Sequence, residues 1–147
     1  MRIHQIMTKR LVTVEMDDKL SLIKEIFEKL KFHHLLVVDS NKLYGIISDR
    51  DLLKAISPNL GTSTESFKDT ATLNKRVHQI MTRNPIVLHA DADVFDAIDL
   101  FNQHRISCLP VVDDDFKPIG VISWRDILRE LGTKRDLFSA NSDPKSE

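Results

Sequence analysis

The sequence is poor in cysteine, in long apolar runs and in excess charge of either sign. The single cysteine, Cys108, cannot form an internal disulfide, which agrees with a reducing compartment. The longest uninterrupted aliphatic runs, such as Leu35 to Val38, are far shorter than the roughly 20 residues that a membrane-spanning helix needs. The N-terminal residues lack the apolar core of a secretory signal. We therefore expect a cytoplasmic protein that does not enter a membrane.

The net charge is close to zero. Lysine and arginine number 21 and aspartate and glutamate 22, which gives a formal charge of -1 at pH 7. This balance provides no basic field for a phosphate backbone, so nucleic acid is disfavoured as a partner. With 41% hydrophobic and 29% charged residues in 147, the chain has the composition of a soluble globular protein with one domain, or two small units sharing a core.

An internal repeat organises the chain. The hexapeptide Ile3–Thr8 (IHQIMT) returns as Val77–Thr82 (VHQIMT). Further on, Tyr44–Leu53 (YGIISDRDLL) returns as Ile119–Leu128 (IGVISWRDIL). Two copies of one structural unit therefore fill most of the chain.

Domain boundaries follow from the repeat and from local composition. We assign residues 1–57 to unit one and residues 73–132 to unit two. Residues 58–72 are turn-rich and polar, which is typical of a linker. Residues 133–147 have few apolar side chains, and we expect a disordered tail there.

Each unit shows the same order of hydrophobic periods. In unit one, a short apolar strand at Leu11–Val14 precedes an amphipathic helix that carries Leu20, Ile23 and Phe27 on one stripe. Two further strands and a second helix follow, which predicts a β-α-β-β-α unit of the α/β (α+β) class. A three-stranded sheet with helices on one face cannot cover its other face, so we expect the two units to pack sheet against sheet.

The predicted helices carry more apolar residues than one buried stripe requires. This surplus indicates a second apolar face and comprises Leu22, Ile26, Leu52, Leu53, Ile127 and Leu131. We therefore predict a homodimer that associates through these helices.

The junction between the last strand and the second helix of each unit carries a Ser-x-x-Asp motif, at Ser48 and Asp51 and at Ser123 and Asp126. Each motif has two interpretations. It is a capping box that only starts a helix, with aspartate in place of the usual glutamate. Alternatively, the free backbone N–H groups and the serine hydroxyl receive a phosphate while the aspartate accepts from a ribose diol. The motif alone leaves both open.

The segment His104–Asp113 (HRISCLPVVD) completes a set of family motifs. Together with the repeated Ile-Met-Thr and Gly-x-Ile-Ser-x-Arg-Asp, it makes residues 1–132 resemble a tandem pair of cystathionine-β-synthase (CBS) domains. The resemblance implies two β-α-β-β-α units packed with pseudo-twofold symmetry, with two clefts between them. Many members of this family bind adenine nucleotides in these clefts. The implied ligand is AMP, ADP, ATP or a related adenosyl compound, acting as a regulatory ligand and not as a catalytic cofactor.

The family's binding positions transfer to two sets of residues. In the Asp126 set, Ser123 takes phosphate and Asp126 takes ribose, and the other members are Val121, Ser107, Cys108, Thr8, Val12, Phe32 and His33. In the Asp51 set, Ser48 and Asp51 have these roles, and the other members are Ile46, His33, His34, Thr82, Ile86, Ile106 and Ser107. Unit one has Leu36 where unit two has Pro110, so the clefts differ and need not both be filled.

Other chemically versatile residues have more than one interpretation. Arg50 and Arg125 either reach a phosphate or form salt bridges. Since neighbouring residues of a strand point to opposite faces, His33 and His34 cannot together bind one metal ion, and we expect no metal site. We interpret Cys108 as a packed thiol.

These observations favour a ligand-sensing regulatory module over an enzyme, because the sequence shows no activated nucleophile, acid–base pair or metal motif. Nucleotide binding would change the relative packing of the two units and thereby affect an unidentified partner protein. One alternative is a structural or dimerisation module with empty clefts. Another, disfavoured by the charge, is a nucleic-acid-binding regulator.

Overall fold

The computed structural model describes residues 1–135, which form two similar halves. The elements of unit one are β1 (Thr13–Glu15), α1 (Leu20–Lys29), β2 (His34–Asp39), β3 (Lys42–Ser48) and α2 (Asp49–Ala55). The linker contains α3 (Phe67–Ala71). The elements of unit two are β4 (Thr82–Arg83), β5 (Leu88–His89), α4 (Val94–Gln103), β6 (Cys108–Val112), β7 (Pro118–Ser123) and α5 (Trp124–Thr133). Single 3₁₀ turns lie at Ile3–Gln5, Thr72–Asn74 and Val77–Gln79.

The strands form two sheets with matching topology. In the order β1-β2-β3-β4, β1 and β2 are parallel and the other pairs are antiparallel. In the order β5-β6-β7, β5 and β6 are parallel and β7 is antiparallel to β6. A two-residue turn joins β2 to β3, and Ser40 and Asn41 take φ values of 50° and 66° there, as a twisted hairpin requires. The predicted order of elements is confirmed.

Three clusters of buried side chains hold the fold together. The core of unit one includes Val14, Ile23 and Ile47, and the core of unit two includes Leu109 and Ile122. A third cluster, around Leu36, Leu43 and Val112, takes residues from both units. Its position confirms the predicted packing of sheet against sheet.

The 3₁₀ turns Ile3–Gln5 and Val77–Gln79 lie near the start of unit one and unit two, and each packs on the opposite unit. We call these two turns the exchanged lead-ins. Ile3 is fully buried in the core of unit two, where its N–H donates to the carbonyl of Ala92 at 2.9 Å. Val77 is fully buried in the core of unit one, where its N–H donates to the carbonyl of Asp18 at 2.9 Å. Each core is therefore completed by residues from the other copy of the repeat.

Glycine lies where the segments after the lead-in turns approach β3 and β7. A Cβ atom on Gly45 would lie 2.6 Å from Met81 Sδ and 2.9 Å from the carbonyl oxygen of Thr82. On Gly120 it would lie 2.5 Å from Met7 Sδ. A side chain at either position would therefore require the neighbouring methionine or backbone to move.

The linker is anchored by a buried carboxylate, which the sequence did not single out. Asp69 begins α3 by accepting the N–H of Ser66 at 2.8 Å, and it also accepts the hydroxyl of Ser57 at 2.6 Å. The hydrogen bond from Ser57, followed by that from Ser66, lowers the pKa of Asp69. These bonds fix the end of unit one to the linker helix.

The helix faces differ in part from the prediction. Leu52 and Ile127 belong to the two cores, with 4% and 5% of their surface exposed, and Ile26 packs against the core of unit one. These three were wrongly placed in the apolar surplus, because the inward face of a short helix is ambiguous in sequence. Leu53 and its counterpart Leu128 are the exposed ones, at 70% and 56%. Leu22 and Leu131, also predicted, are about two-fifths exposed.

The predicted tail begins inside the last helix. Because α5 continues through Thr133, whose hydroxyl donates to the carbonyl of Glu130 at 2.8 Å, the boundary at residue 133 is too early. The rest of the predicted tail, residues 136–147, lies outside the described residues. Among residues 1–135, none of the helices combines the length and the apolar character needed to cross a bilayer.

Candidate functional site

Both Ser-x-x-Asp junctions form capping boxes. At the start of α2, the N–H of Ser48 donates to Asp51 Oδ2 at 2.8 Å, and the N–H of Asp51 donates to Ser48 Oγ at 3.1 Å. At the start of α5, the N–H of Ser123 donates to Asp126 Oδ2 at 2.8 Å, and the N–H of Asp126 donates to Ser123 Oγ at 3.3 Å. The capping interpretation is therefore correct for both motifs, but each cap engages only one oxygen of its carboxylate.

The second carboxylate oxygen distinguishes the two junctions. Asp126 Oδ1 lies 3.6 Å from Arg129 Nη1, and only 13% of the Asp126 side chain is exposed. Within residues 1–135, Asp51 Oδ1 has no hydrogen bond or ion pair. Asp51 can thus cap its helix and still accept a hydrogen bond from a ligand.

A cleft of about 770 Å³ lies between the two junctions, and we call it the junction cleft. This volume is within the range of about 300 to 1,000 Å³ seen for pockets that hold small ligands. Its walls come from both units and comprise His33, His34, Ile46, Ser48, Asp49, Arg50, Asp51, Thr82, Asn84, Pro85, Ile86, Arg105, Ile106, Ser107, Cys108, Ser123, Trp124 and Arg125.

The junction cleft contains the whole Asp51 set. All nine of these predicted residues line it, namely Ser48, Asp51, Ile46, His33, His34, Thr82, Ile86, Ile106 and Ser107. Antiparallel pairing of Ile46 in β3 with Thr82 in β4 brings the lead-in of unit two to this wall. Residues far apart in sequence therefore meet in one cavity.

The Asp126 set is divided. Four members, His33, Ser107, Cys108 and Ser123, line the junction cleft, as do Arg50 and Arg125. The other five, Thr8, Val12, Phe32, Val121 and Asp126, do not line it. Thr8 and Val121 exchange backbone hydrogen bonds of 2.8 and 3.0 Å, and Phe32 lies under the guanidinium of Arg10 at 5.6 Å. Val12 is partly buried against the core of unit one.

Five residues of the cleft were not singled out in the sequence, namely Asp49, Asn84, Pro85, Arg105 and Trp124. Asp49 and Trp124 occupy the variable position of Ser-x-Arg-Asp, directly after each capping serine. Asp49 and Trp124 could have been identified from the sequence, because they differ between two copies of a motif that is otherwise repeated.

Titratable groups in the wall respond to burial and to each other. His33 Nδ1 lies 2.9 Å from Asp49 Oδ2 at an exposed position. Burial, more than the repulsion from His33, lowers the pKa of His34, whose Nε2 lies 3.4 Å from Ser107 Oγ. Burial, helped by the negative charge of Asp126, raises the pKa of the Cys108 thiol to about 12. Cys108 is therefore a neutral thiol at physiological pH.

The potential metal ligands among residues 1–135 are dispersed. Histidine, cysteine, aspartate and glutamate side chains of residues 1–135 do not gather in groups of three or more that could hold an ion. His33 and His34 have separate neighbours, Asp49 and Ser107. The two adjacent histidines serve different parts of the wall.

Replacing His34 with glutamine should reduce the loss of stability on acidification. The pKa of His34 in the folded protein lies below its unfolded value of about 6.5. The contribution of neutral His34 to the free energy of unfolding is therefore fully present above the pKa of the unfolded state. It is lost as the pH falls through the pKa of the folded state. Urea unfolding between pH 7 and pH 5 would show a smaller decline in the free energy of unfolding for the variant than for the wild type. His104→Gln, at an exposed position, is the control, and equal declines in wild type and His34→Gln would contradict the assignment.

Comparisons with known proteins place these features in context. A model of the CBS domain matches residues 3–58 and 77–140. A CBS domain-containing protein of Dictyostelium discoideum is 34% identical over 128 residues, which cover 86% of this chain and 88% of the relative. The chain spans less than half the length of several other curated relatives, between 22% and 48%.

Two solved structures share the arrangement of both units. The CBS domain pair of protein MJ0100, in complex with 5′-methylthioadenosine and S-adenosyl-L-methionine, superposes with a TM-score of 0.74 at 30% identity, covering 91% of this chain and 98% of that one. CBSX2 of Arabidopsis thaliana, in complex with AMP, gives a TM-score of 0.73 at 28% identity, with coverages of 91% and 98%. The ligands named for these two proteins have adenosine in common.

Proposed function

Because the chain belongs to the CBS domain family, we propose that it is a regulatory module that binds an adenine nucleotide in the junction cleft. The observation that carries the proposal is the presence of all nine residues of the Asp51 set around one cavity. AMP, ADP and ATP are the candidate ligands, and S-adenosyl compounds are related candidates. In this role the ligand acts as a regulator and not as a substrate.

The wall of the cleft offers complementary groups for each part of a nucleotide. Asp51 lines the cleft and would accept hydrogen bonds from ribose hydroxyls through Oδ1, and such charge-assisted bonds contribute about 1.5 to 3 kcal/mol. Ile46, Ile86 and Ile106 provide apolar surface for the adenine ring. The arginines of the wall provide donors for phosphate.

Binding in this position couples the two units. Ser48 and Asp51 belong to unit one, whereas Ile106 and Ser107 belong to unit two, so a ligand between them contacts both. A ligand that prefers one relative arrangement of the units shifts the population toward it by its difference in affinity. We propose that a partner protein recognises that arrangement.

Occupancy of a second position by the Asp126 set stays a prediction. Asp126 itself is turned toward Arg129, and five members of the set lie outside the junction cleft. We therefore propose one nucleotide per chain at the junction cleft as the principal binding event.

Homodimerisation is a second proposed property, compatible with the first. Leu53, Phe95 and Leu128 lie on helices with more than half of their surface exposed. A contiguous patch formed by such side chains would be typical of an interface between protein chains. Sedimentation at tens of micromolar would show dimers if these faces associate, and monomers alone would contradict the proposal.

A thermal-shift titration with AMP, ADP, ATP and S-adenosylmethionine tests nucleotide binding. A ligand present at about 100 times its Kd stabilises the folded state by about 2.7 kcal/mol. For a chain of this length, we expect the melting temperature to rise by about 5 to 10 °C. Guanine nucleotides are the control for adenine recognition. Absence of a shift with every adenine compound would overturn the proposed function and favour a structural module.

A further inference from the structure

The two junctions contribute unlike groups to the junction cleft. The first contributes the Asp51 carboxylate, with one oxygen free of partners among residues 1–135. The second contributes Ser123, Trp124 and Arg125, whereas Asp126 does not line the cleft and has Arg129 beside its remaining oxygen. Only the first junction can therefore accept hydrogen bonds from a ribose diol through a carboxylate. The second offers donors and a cation.

The wall of the cleft has one more arginine than aspartate, although the chain as a whole has a net charge of -1. Arg50, Arg105 and Arg125 line the cleft, and none of their side chains has a hydrogen bond or ion pair within residues 1–135. The opposing carboxylates are Asp49 and Asp51, and Asp49 already lies 2.9 Å from His33. Three guanidinium groups thus face two carboxylates, which leaves the cleft with an unbalanced positive charge.

The side chain of Arg125 is held at the second junction by its neighbour. Its guanidinium carbon lies 5.6 Å from the centre of the Trp124 ring, within the range of a cation–π contact. The indole ring stabilises the guanidinium but carries no opposite charge. Arg125 therefore remains available to pair with an anion across the cleft from Asp51.

We propose that the junction cleft selects nucleotides with an extended phosphate chain, a triphosphate over a monophosphate, and that Arg105 and Arg125 determine this specificity. The inference rests on the proposed function, because it places the nucleoside at Asp51. The phosphate chain then extends toward unit two and pairs with the two arginines. The cationic sulfonium of S-adenosylmethionine gains nothing from these charges.

Calorimetric titration of the wild type and two variants tests the specificity. In the wild type, ATP should bind at least about tenfold more tightly than AMP, since each charge-assisted contact contributes about tenfold or more. Arg105→Gln and Arg125→Gln should each lose about tenfold in ATP affinity and change AMP affinity by less than about threefold. Arg129→Gln on the same helix removes an equal charge outside the cleft and should leave both affinities unchanged.

Inorganic tripolyphosphate separates this inference from the proposed function. It lacks the nucleoside, and it should bind the wild type weakly and the two cleft variants more weakly still. Equal affinities of the wild type for AMP and ATP would overturn the inference. Equal losses of affinity for AMP and for ATP in the arginine variants would also overturn it. Either result would leave the proposed nucleotide binding intact. Binding of tripolyphosphate without binding of any nucleotide would overturn the proposed function, and with it the placement of the nucleoside at Asp51. Melting curves of the unliganded variants, unchanged from the wild type, would show that these losses do not arise from unfolding.

Discussion

Gly45→Ala should lower the melting temperature by about 2 to 12 °C. The new methyl group would meet Met81 Sδ at 2.6 Å and the carbonyl oxygen of Thr82 at 2.9 Å. Met81 can rotate, but the backbone of Thr82 is fixed by its pairing with β3. Overpacking of this kind destabilises by about 1 to 3 kcal/mol, and each kcal/mol lowers the melting temperature by about 2 to 4 °C. Calorimetry or circular dichroism would measure the change.

Gly132→Ala is the matched control for this prediction. A Cβ atom at Gly132 meets no other atom within 4 Å, and the residue lies in α5. Alanine in a helix is favoured over glycine by about 0.5 to 1 kcal/mol, so this variant should be slightly more stable than the wild type. Gly120→Ala should resemble Gly45→Ala, because Met7 lies 2.5 Å from its Cβ position. Equal melting temperatures for Gly45→Ala and Gly132→Ala would contradict the prediction. They would show that Met81 and Thr82 move aside without loss of stability.

Asp51→Ala should weaken adenine-nucleotide binding by about ten- to a hundredfold, the effect of losing charge-assisted bonds of about 1.5 to 3 kcal/mol to ribose. Asp126→Ala removes a cap of nearly the same geometry from α5. Both variants should lose about 1 kcal/mol of stability through the cap. Only Asp51 lines the junction cleft, so only its loss should strongly reduce affinity.

The comparison of the two aspartates isolates the role in binding. Calorimetry would give the affinity of each variant, and urea unfolding would give its stability. If both variants bind with wild-type affinity while both are destabilised, the aspartates are caps alone. If Asp126→Ala also loses affinity or reduces the number of ligands bound, the Asp126 set forms a second site.

Much of the fold could be predicted because the repeat and the local chemistry agree. The serines that precede α2 and α5 are capping residues, and their positions mark the helix starts to the residue. The apolar segments of β2 and β3 indicated two strands, and the resemblance supplied the Asp51 set. These features depend on neighbours in sequence or on motifs that are long enough to be specific.

Other features depend on contacts that the sequence does not encode locally. Ile3 and Val77 begin nearly identical hexapeptides, so the sequence cannot tell which unit each one completes. Leu52 and Leu53 are adjacent in a helix of seven residues, and only packing decides that the first is buried. The two aspartates also differ in their surroundings, because Arg129, one turn further along α5, lies beside Asp126 only.

The exchanged lead-ins affect how the chain reaches its native state. Unit one cannot complete its core until Val77 and Met81 have been synthesised, and the side chain of Ile3 cannot enter its native core until unit two exists. Native contacts with such large separations in sequence slow folding, because much loop entropy is lost before they form. On the ribosome, the first residues must therefore wait for unit two to emerge. We therefore expect the two halves to acquire their structure in one cooperative transition, although they look like independent repeats.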